Sequence, residues 1–193
     1  MTLVYLSLTA SDIKPREGEL AARLRVPREA IPPETKLLVE RLSGASAPAA
    51  VLAYGERTPR LTALLSLDAV PSLCRERLAL FAVTLGYGVD RLLDAEKRRG
   101  VASAFLLDAV ASAMAEAAAD AADAALRRLC PSDVFGHRYS PGYGALPLSV
   151  NAPLLSLTDA ERRLGIRLSE SALMHPTKSI TAILGGSHEN RPN

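Results

Sequence analysis

Tryptophan is absent from the 193 residues, and Phe and Tyr together make up only 4% of the chain. An apolar fraction of 48% still suffices for a packed core, so that core must rest on Leu, Val, Ile and Ala. Cysteine is almost as scarce. Cys74 and Cys130 lie far apart, and neither has a Cys or His two to four residues away. The three histidines do not complete a ligand set, so no metal site is expected, and buried free thiols in a reducing cytosol are. No uninterrupted run of about 18 apolar residues exists, which argues against an ordinary membrane-spanning helix. The first residues carry no basic region followed by a long apolar core and a cleavage site, so no signal peptide is expected. Charge is nearly balanced at +2, without basic blocks interleaved with aromatics, and no nucleic-acid footprint is visible.

Acyl-transfer and redox nucleotide chemistry are equally poorly served. No Gly-x-Ser-x-Gly elbow occurs, and Ser140 with His137 is only a local pair. Gly86-Tyr87-Gly88 follows an apolar run, but Arg91 stands where a dinucleotide fingerprint needs its third glycine. No residue is therefore assigned a catalytic role.

What is present reads as α+β. Thr2–Leu8 is a strand; helices run from Pro15 to before Pro27 and from near Pro33 to Gly44, with a loop over Ser43–Pro48. Ala49–Tyr54 and Arg60–Leu67 read as paired strands around the Gly55–Pro59 turn. The N-terminal third is taken as scaffold. Leu78–Leu85 is a buried strand, Val89–Arg99 a helix, and Val101–Leu129 the longest helix. On that helix Leu106, Val110, Ala113, Met114, Ala117, Ala121 and Ala124 mark an apolar face, while Asp108, Ser112, Glu116 and Asp120 form a polar ladder read as solvated. Asn151–Leu164 is a helix closed by Gly165. Ile166–Ser171 and Ser179–Leu184 read as an antiparallel hairpin, and the tail from Gly185 as frayed.

Between the long helix and this tail lies His137-Arg138-Tyr139-Ser140-Pro141-Gly142-Tyr143-Gly144-Ala145-Leu146-Pro147. Pro141 fixes φ and biases Ser140 towards extended backbone, and the glycines permit positive φ or a close ligand approach. Such a loop offers a guanidinium fork for a carboxylate, bare peptide groups for a heterocycle edge, and tyrosine faces for stacking. A plain surface turn with a solvated arginine is the alternative.

Arg138, Gly142 and Tyr143 stand as Arg-x-x-x-Gly-Tyr. That spacing resembles the S-adenosylmethionine signature of the activation domain of cobalamin-dependent methionine synthase. Arg167–Pro176 and Lys178–Ala182 resemble that family's closing strands; Leu80–Gly86 and Ala115-Glu116-Ala117 fit upstream. The resemblance spans about residues 75–185 and implies one domain over 1–193. In it residues 1–74 form a variable scaffold and 186–193 a frayed tail. It implies a twisted antiparallel sheet flanked by helices. It also implies S-adenosylmethionine held by Arg138, Ser140, Gly142 and Tyr143, with Glu116 near the ligand and the cobalamin as a second-tier site residue, and Asp120 as a remote candidate only. The implied role is a cytoplasmic reactivation module rather than an independent enzyme. Its partner would be a cobalamin-dependent methionine synthase or other corrinoid protein, with a flavodoxin- or ferredoxin-like electron donor. A docking partner without nucleoside binding is the alternative. A separate small methyltransferase fits less well, since no glycine-rich loop follows the first strand. Beyond Leu184 the chain departs from the family: Gly185-Gly186-Ser187-His188 replaces aromatic residues that help close the pocket, and the N-terminal acidic contact has no counterpart.

Overall fold

The computed structural model describes residues 1–188. Its centre is a five-stranded antiparallel sheet in the order β1-β2-β3-β7-β4, built from Thr2–Ser7, Ala49–Glu56, Arg77–Thr84, Ser179–His188 and Asp133–Phe135 respectively. The register runs Leu52↔Phe81↔Ala182 through the middle.

Both faces of this sheet are covered, so β2 and β3 read as continuous apolar runs rather than alternating ones. One face presents Ala50, Leu52, Phe81, Val83, Ala182 and Leu184 to α5 (Val101–Leu129), with α1 (Glu17–Leu24), α2 (Thr35–Ala45) and α4 (Tyr87–Lys97) packed around it. The other presents Ala53, Leu78, Leu80 and Ile183 to Leu65, Leu67, Leu73 and Leu154, and Val51 and Ala82 to Leu155, Ala160 and Ile166. That layer is built by α3 (Pro59–Leu64), α6 (Asn151–Thr158) and α7 (Ala160–Leu164).

Alanine explains how α5 occupies the core without bulk. Its intrinsic helix preference sustains a long helix, and Ala113, Ala118, Ala119 and Ala122 are almost wholly buried against their neighbours. The buried stripe is rotated from the expected one: Leu107, Ala111, Met114, Ala118, Ala122 and Ala125 face the core, whereas Leu106, Ala117 and Ala121 are half-buried and Ala124 is exposed. α5 is long and apolar enough to cross a membrane by composition, but it is a core helix packed on the sheet.

Several other expectations are corrected. Residues 60–67 are not a strand: Thr58 accepts the Leu61 N–H at 3.3 Å and Pro59 occupies the first turn, so α3 starts where a hairpin was expected. β2 pairs instead with β1 and β3. The loop expected from Ser43 begins only after α2 ends at Ala45. The helix expected over 151–164 breaks at Asp159, which adopts φ 55° and whose carboxylate accepts from the Arg162 and Arg163 side chains. Residues 166–171 do not pair with 179–184, which pair with β3 along one edge and meet Tyr139 at Ile183 on the other. Instead β5 (Arg167–Leu168) folds back on β6 (Met174–His175), around a turn in which Ser169 bonds Leu173 and Ala172 takes φ 60°.

The tail is not frayed from Gly185. β7 runs on to His188, and a Cβ at Gly185 would lie 2.5 Å from the Ser72 carbonyl, so glycine is what lets the Pro71–Leu73 turn lie on the strand. Residues 189–193 of the expected tail lie outside the described residues.

Candidate functional site

The loop after β4 is pinned to the sheet before it turns. Tyr139 and Ile183 exchange both backbone hydrogen bonds at 2.8 Å, which makes the loop an extension of the β7 edge. Beyond Pro141, Gly142 (φ +90°) donates to Leu146 at 2.8 Å, and Tyr143 donates to the Ser140 carbonyl at 3.2 Å. The turn is thus closed by its own main chain, and Gly142 serves its shape. A Cβ there would sit 3.1 Å from Leu148 in a left-handed backbone.

This loop forms one wall of a cleft of about 190 Å³. Glu116 of α5, Ser140, Pro141, Tyr143 and Leu148 line it on one side, and Asn151, the Ala172–Met174 segment and Ser179–Thr181 complete it. Three of the expected residues, Glu116, Ser140 and Tyr143, therefore meet at one place although they are distant in sequence. Tyr143 stands at the rim, 73% exposed. Gly142 lies in the same loop but does not line the cleft.

Arg138 does not line the cleft itself but bonds Glu116, which does. Its terminal nitrogens donate to Asp120 Oδ1 at 2.6 Å and Glu116 Oε2 at 2.8 Å. Burial works against its charge, but the two carboxylates outweigh this and hold the guanidinium above its ordinary pKa. Five N–H groups on arginine leave donors beyond these two contacts.

The acidic ladder of α5 is consequently an ion-paired face, exposed at Asp108 and half-buried at Ser112, Glu116 and Asp120. Lys178 Nζ bonds Asp108 and Ser112, each at 2.8 Å; Glu116 is held by Arg138 and, at 3.2 Å, by Arg23; Asp120 is held by Arg138 and, at 3.2 Å, by Arg16. Two of these cations come from α1 and the segment just before it, so the N-terminal third is more than scaffold. Arg16 and Arg23 were missed because helical periodicity shows only which residues share a face, and carries no information about what a distant helix brings to it.

Asn151 and Thr181 were also missed. Each is 2% exposed, both line the cleft, and the Thr181 hydroxyl donates to Asn151 Oδ1 at 2.6 Å. Neither periodicity nor composition joins the first residue of α6 to one in the middle of β7. Among the described residues no group of three or more His, Cys, Asp or Glu could hold a metal ion. The arrangement is that of a binding cleft, with a fixed ion-pair network on one side and a mixed apolar and polar floor.

Comparison with known proteins bears on both halves of this description. A family model described as "Vitamin B12 dependent methionine synthase, activation domain" matches residues 67–191, about two thirds of the chain. Among solved structures, the chain is similar to the MetH reactivation domain bound to AdoHcy. The TM-score is 0.73 at 17% identity, over 100% of this chain and 80% of that one. At that identity the likeness establishes the fold. No curated protein matches the sequence.

Proposed function

Because the chain belongs to the family of vitamin B12-dependent methionine synthase activation domains, we propose that it binds S-adenosylmethionine and supports reductive methylation of cob(II)alamin on a corrinoid partner. The observation that carries this reading is the convergence of Glu116, Ser140 and Tyr143 on one cleft, with Arg138 anchored against Glu116. The solved relative is bound to AdoHcy, the same nucleoside without its methyl group.

The residues suit the ligand's groups. Arg138 is held rigidly by Asp120 and Glu116, and its remaining N–H donors serve a carboxylate. Glu116 places a carboxylate at the cleft for the ligand's cationic ammonium or sulfonium. Tyr143, exposed at the rim, offers a ring for stacking and a surface for the partner. At about 190 Å³ the cleft lies below the range of about 300 Å³ upward that encloses a drug-sized ligand, so only part of the nucleoside enters it. The rest lies along the rim, where a docked corrinoid protein covers it. S-adenosylmethionine supplies the methyl group, the partner's corrinoid accepts it, and a flavodoxin- or ferredoxin-like protein supplies the electron. This chain contributes position and electrostatics in the cytoplasm, as a module rather than an independent enzyme.

A docking role without nucleoside binding is the second reading, favoured by the two acids already on the terminal nitrogens of Arg138. Calorimetry with S-adenosylmethionine separates the two, for the chain alone and with a cob(II)alamin-loaded partner. Binding is expected, weakened by about 1.5–3 kcal/mol in Arg138→Ala. Absence of binding in both settings selects docking. Turnover of S-adenosylmethionine without any corrinoid overturns both.

A further inference from the structure

One wall of the cleft comes from a hairpin that the main sheet does not hold. β5 and β6 pair only with each other, outside the five-stranded sheet, and Ala172–Met174 at their turn line the cleft. An isolated two-stranded hairpin is marginal in water, and this one is very short. Leu168 and Met174 rest half-buried on the cluster of Val51, Ala82, Leu155, Ala160 and Ile166. That contact seats the hairpin, but apolar burial is non-directional and does not aim it.

The aim comes from the first turn of α4. The Tyr87 hydroxyl donates to the Gly165 carbonyl at 3.1 Å and lies 3.4 Å from that of His175. The Asp90 carboxylate accepts the Thr177 N–H at 2.9 Å and the Thr177 hydroxyl at 2.7 Å. Arg167 stands opposite His175 and Leu168 opposite Met174, so the same register continued outward sets Gly165 opposite Thr177. Tyr87 and Asp90, neighbours on one helix face, therefore grip the two legs of the hairpin at the same level. An aspartate at a helix start ordinarily turns its hydrogen bonds to that helix's own N–H groups; those of Asp90 go to another segment. The grip is also firmly mounted, because Gly88 lets this turn of α4 lie directly on the Ala45 carbonyl of α2. Beyond the base, the polar contacts that reach the hairpin from other elements are long among the described residues: Asn151 to the Ala172 carbonyl at 3.4 Å and Arg167 to Glu161 at 3.6 Å. Leu173 at the tip lies about 13 Å of extended chain from Thr177, so a small change of angle at the base is a larger displacement at the cleft.

We infer that Tyr87 and Asp90 are positioning residues for the cleft: α4 aims the β5–β6 hairpin, and the hairpin holds the wall against which the ligand binds. Neither side chain lines the cleft; both act through Ala172, Leu173 and Met174. Loss of either contact leaves the sheet intact and lets the hairpin leave its binding orientation, so affinity falls with the fraction of molecules in which the wall is in place. This inference rests on the nucleoside-binding reading above and adds what keeps the site in its binding shape.

The test exploits the absence of tryptophan from the chain. Leu173→Trp places a single fluorescent reporter at the exposed tip, and its anisotropy without ligand reads the freedom of the hairpin. The reporter is combined with Tyr87→Phe, with Asp90→Ala, and with Asp90→Asn, which keeps an acceptor for the Thr177 N–H. The same three substitutions without the reporter are titrated with S-adenosylmethionine by calorimetry, alone and with a corrinoid partner, beside their urea midpoints. Tyr87→Phe is expected to lower affinity about threefold to tenfold and Asp90→Ala about tenfold, each with a fall in anisotropy. Asp90→Asn is expected to restore most of both. A merely structural contact lowers the urea midpoint and leaves affinity and anisotropy where they are, and that result overturns the inference. An affinity loss at unchanged anisotropy overturns it too, since the hairpin is then not the intermediary. Should Asp90→Ala fail to fold, Tyr87→Phe, which removes one oxygen from an exposed side chain, decides alone. Undiminished affinity in the variants of a parent that binds leaves nucleoside binding standing and removes only the inference. A parent that binds no S-adenosylmethionine in either setting removes both.

Discussion

The network around Arg138 makes a prediction that can be worked from distances. Arg138 contacts Glu116 at 2.8 Å and Asp120 at 2.6 Å, with side chains 24%, 33% and 35% exposed. Unit charges about 4 Å apart attract by about 4 kcal/mol at an effective dielectric of about 20, before desolvation and side-chain ordering are subtracted. Exposed pairs retain only about 0.2–1 kcal/mol after those subtractions. A half-buried pair in a network belongs near or just above the top of that range. Arg138→Ala should therefore destabilise by about 1–2 kcal/mol, since it leaves two carboxylates facing each other with only Arg23 and Arg16, each at 3.2 Å, to neutralise them. Glu116→Ala should cost less, because Arg138 keeps Asp120. The coupling energy of the double-mutant cycle should be about 0.5–1.5 kcal/mol, read from urea midpoints of the four proteins. It should shrink as salt rises from about 0.1 M to about 1 M and the screening length falls from about 10 to about 3 Å. A coupling below about 0.3 kcal/mol, or one indifferent to salt, would refute the view that Arg138 is an organised part of this network.

Two further predictions concern the scaffold. A Cβ at Gly88 would lie 1.8 Å from the Ala45 carbonyl oxygen, backbone against backbone at the crossing of α4 and α2, so Gly88→Ala should destabilise by more than about 3 kcal/mol or prevent soluble expression. Burial pushes both the Cys74 and the Cys130 thiols above their ordinary pKa, so each holds less thiolate near neutrality; alkylation at pH 7 should be slow in the folded protein and fast once urea unfolds it.

The central parts of the fold were legible in the sequence for identifiable reasons. Val101–Leu129 was found to the residue because helix-favouring alanines run between Gly100 and Cys130, and Leu78–Leu85, observed as Arg77–Thr84, because a strand covered on both faces runs apolar from Leu78 to Val83. The misread segments share another cause. Residues 60–67 have strand composition, yet Thr58 and Pro59 start a helix there. Residues 166–171 have strand composition too, but β7 pairs with β3 on one edge and meets Tyr139 and β4 on the other. Composition states what a segment can do locally. Which edge is still open when it arrives is decided by the rest of the sheet.

The same distinction governs the site. Arg138, Gly142 and Tyr143 could be found because they lie in one short loop, and Glu116 because the resemblance reached α5. The ladder to which Glu116 belongs was misjudged: acids repeated every fourth residue on one helix look solvated when no cation occurs on that helix at the matching positions. Here the cations come from α1 and the segment before it, from the loop after β4 and from the residue preceding β7, through Arg16, Arg23, Arg138 and Lys178. Together they tether α5 to three parts of the chain at the same face. A substitution in the ladder thus bears on how three separate segments meet beside the cleft as well as on its charge. That is why Glu116 cannot be tested by loss of binding alone: the fold-sensitive cycle with Arg138 has to be read beside the calorimetry, and only a binding loss larger than the measured destabilisation can be credited to contact with the ligand.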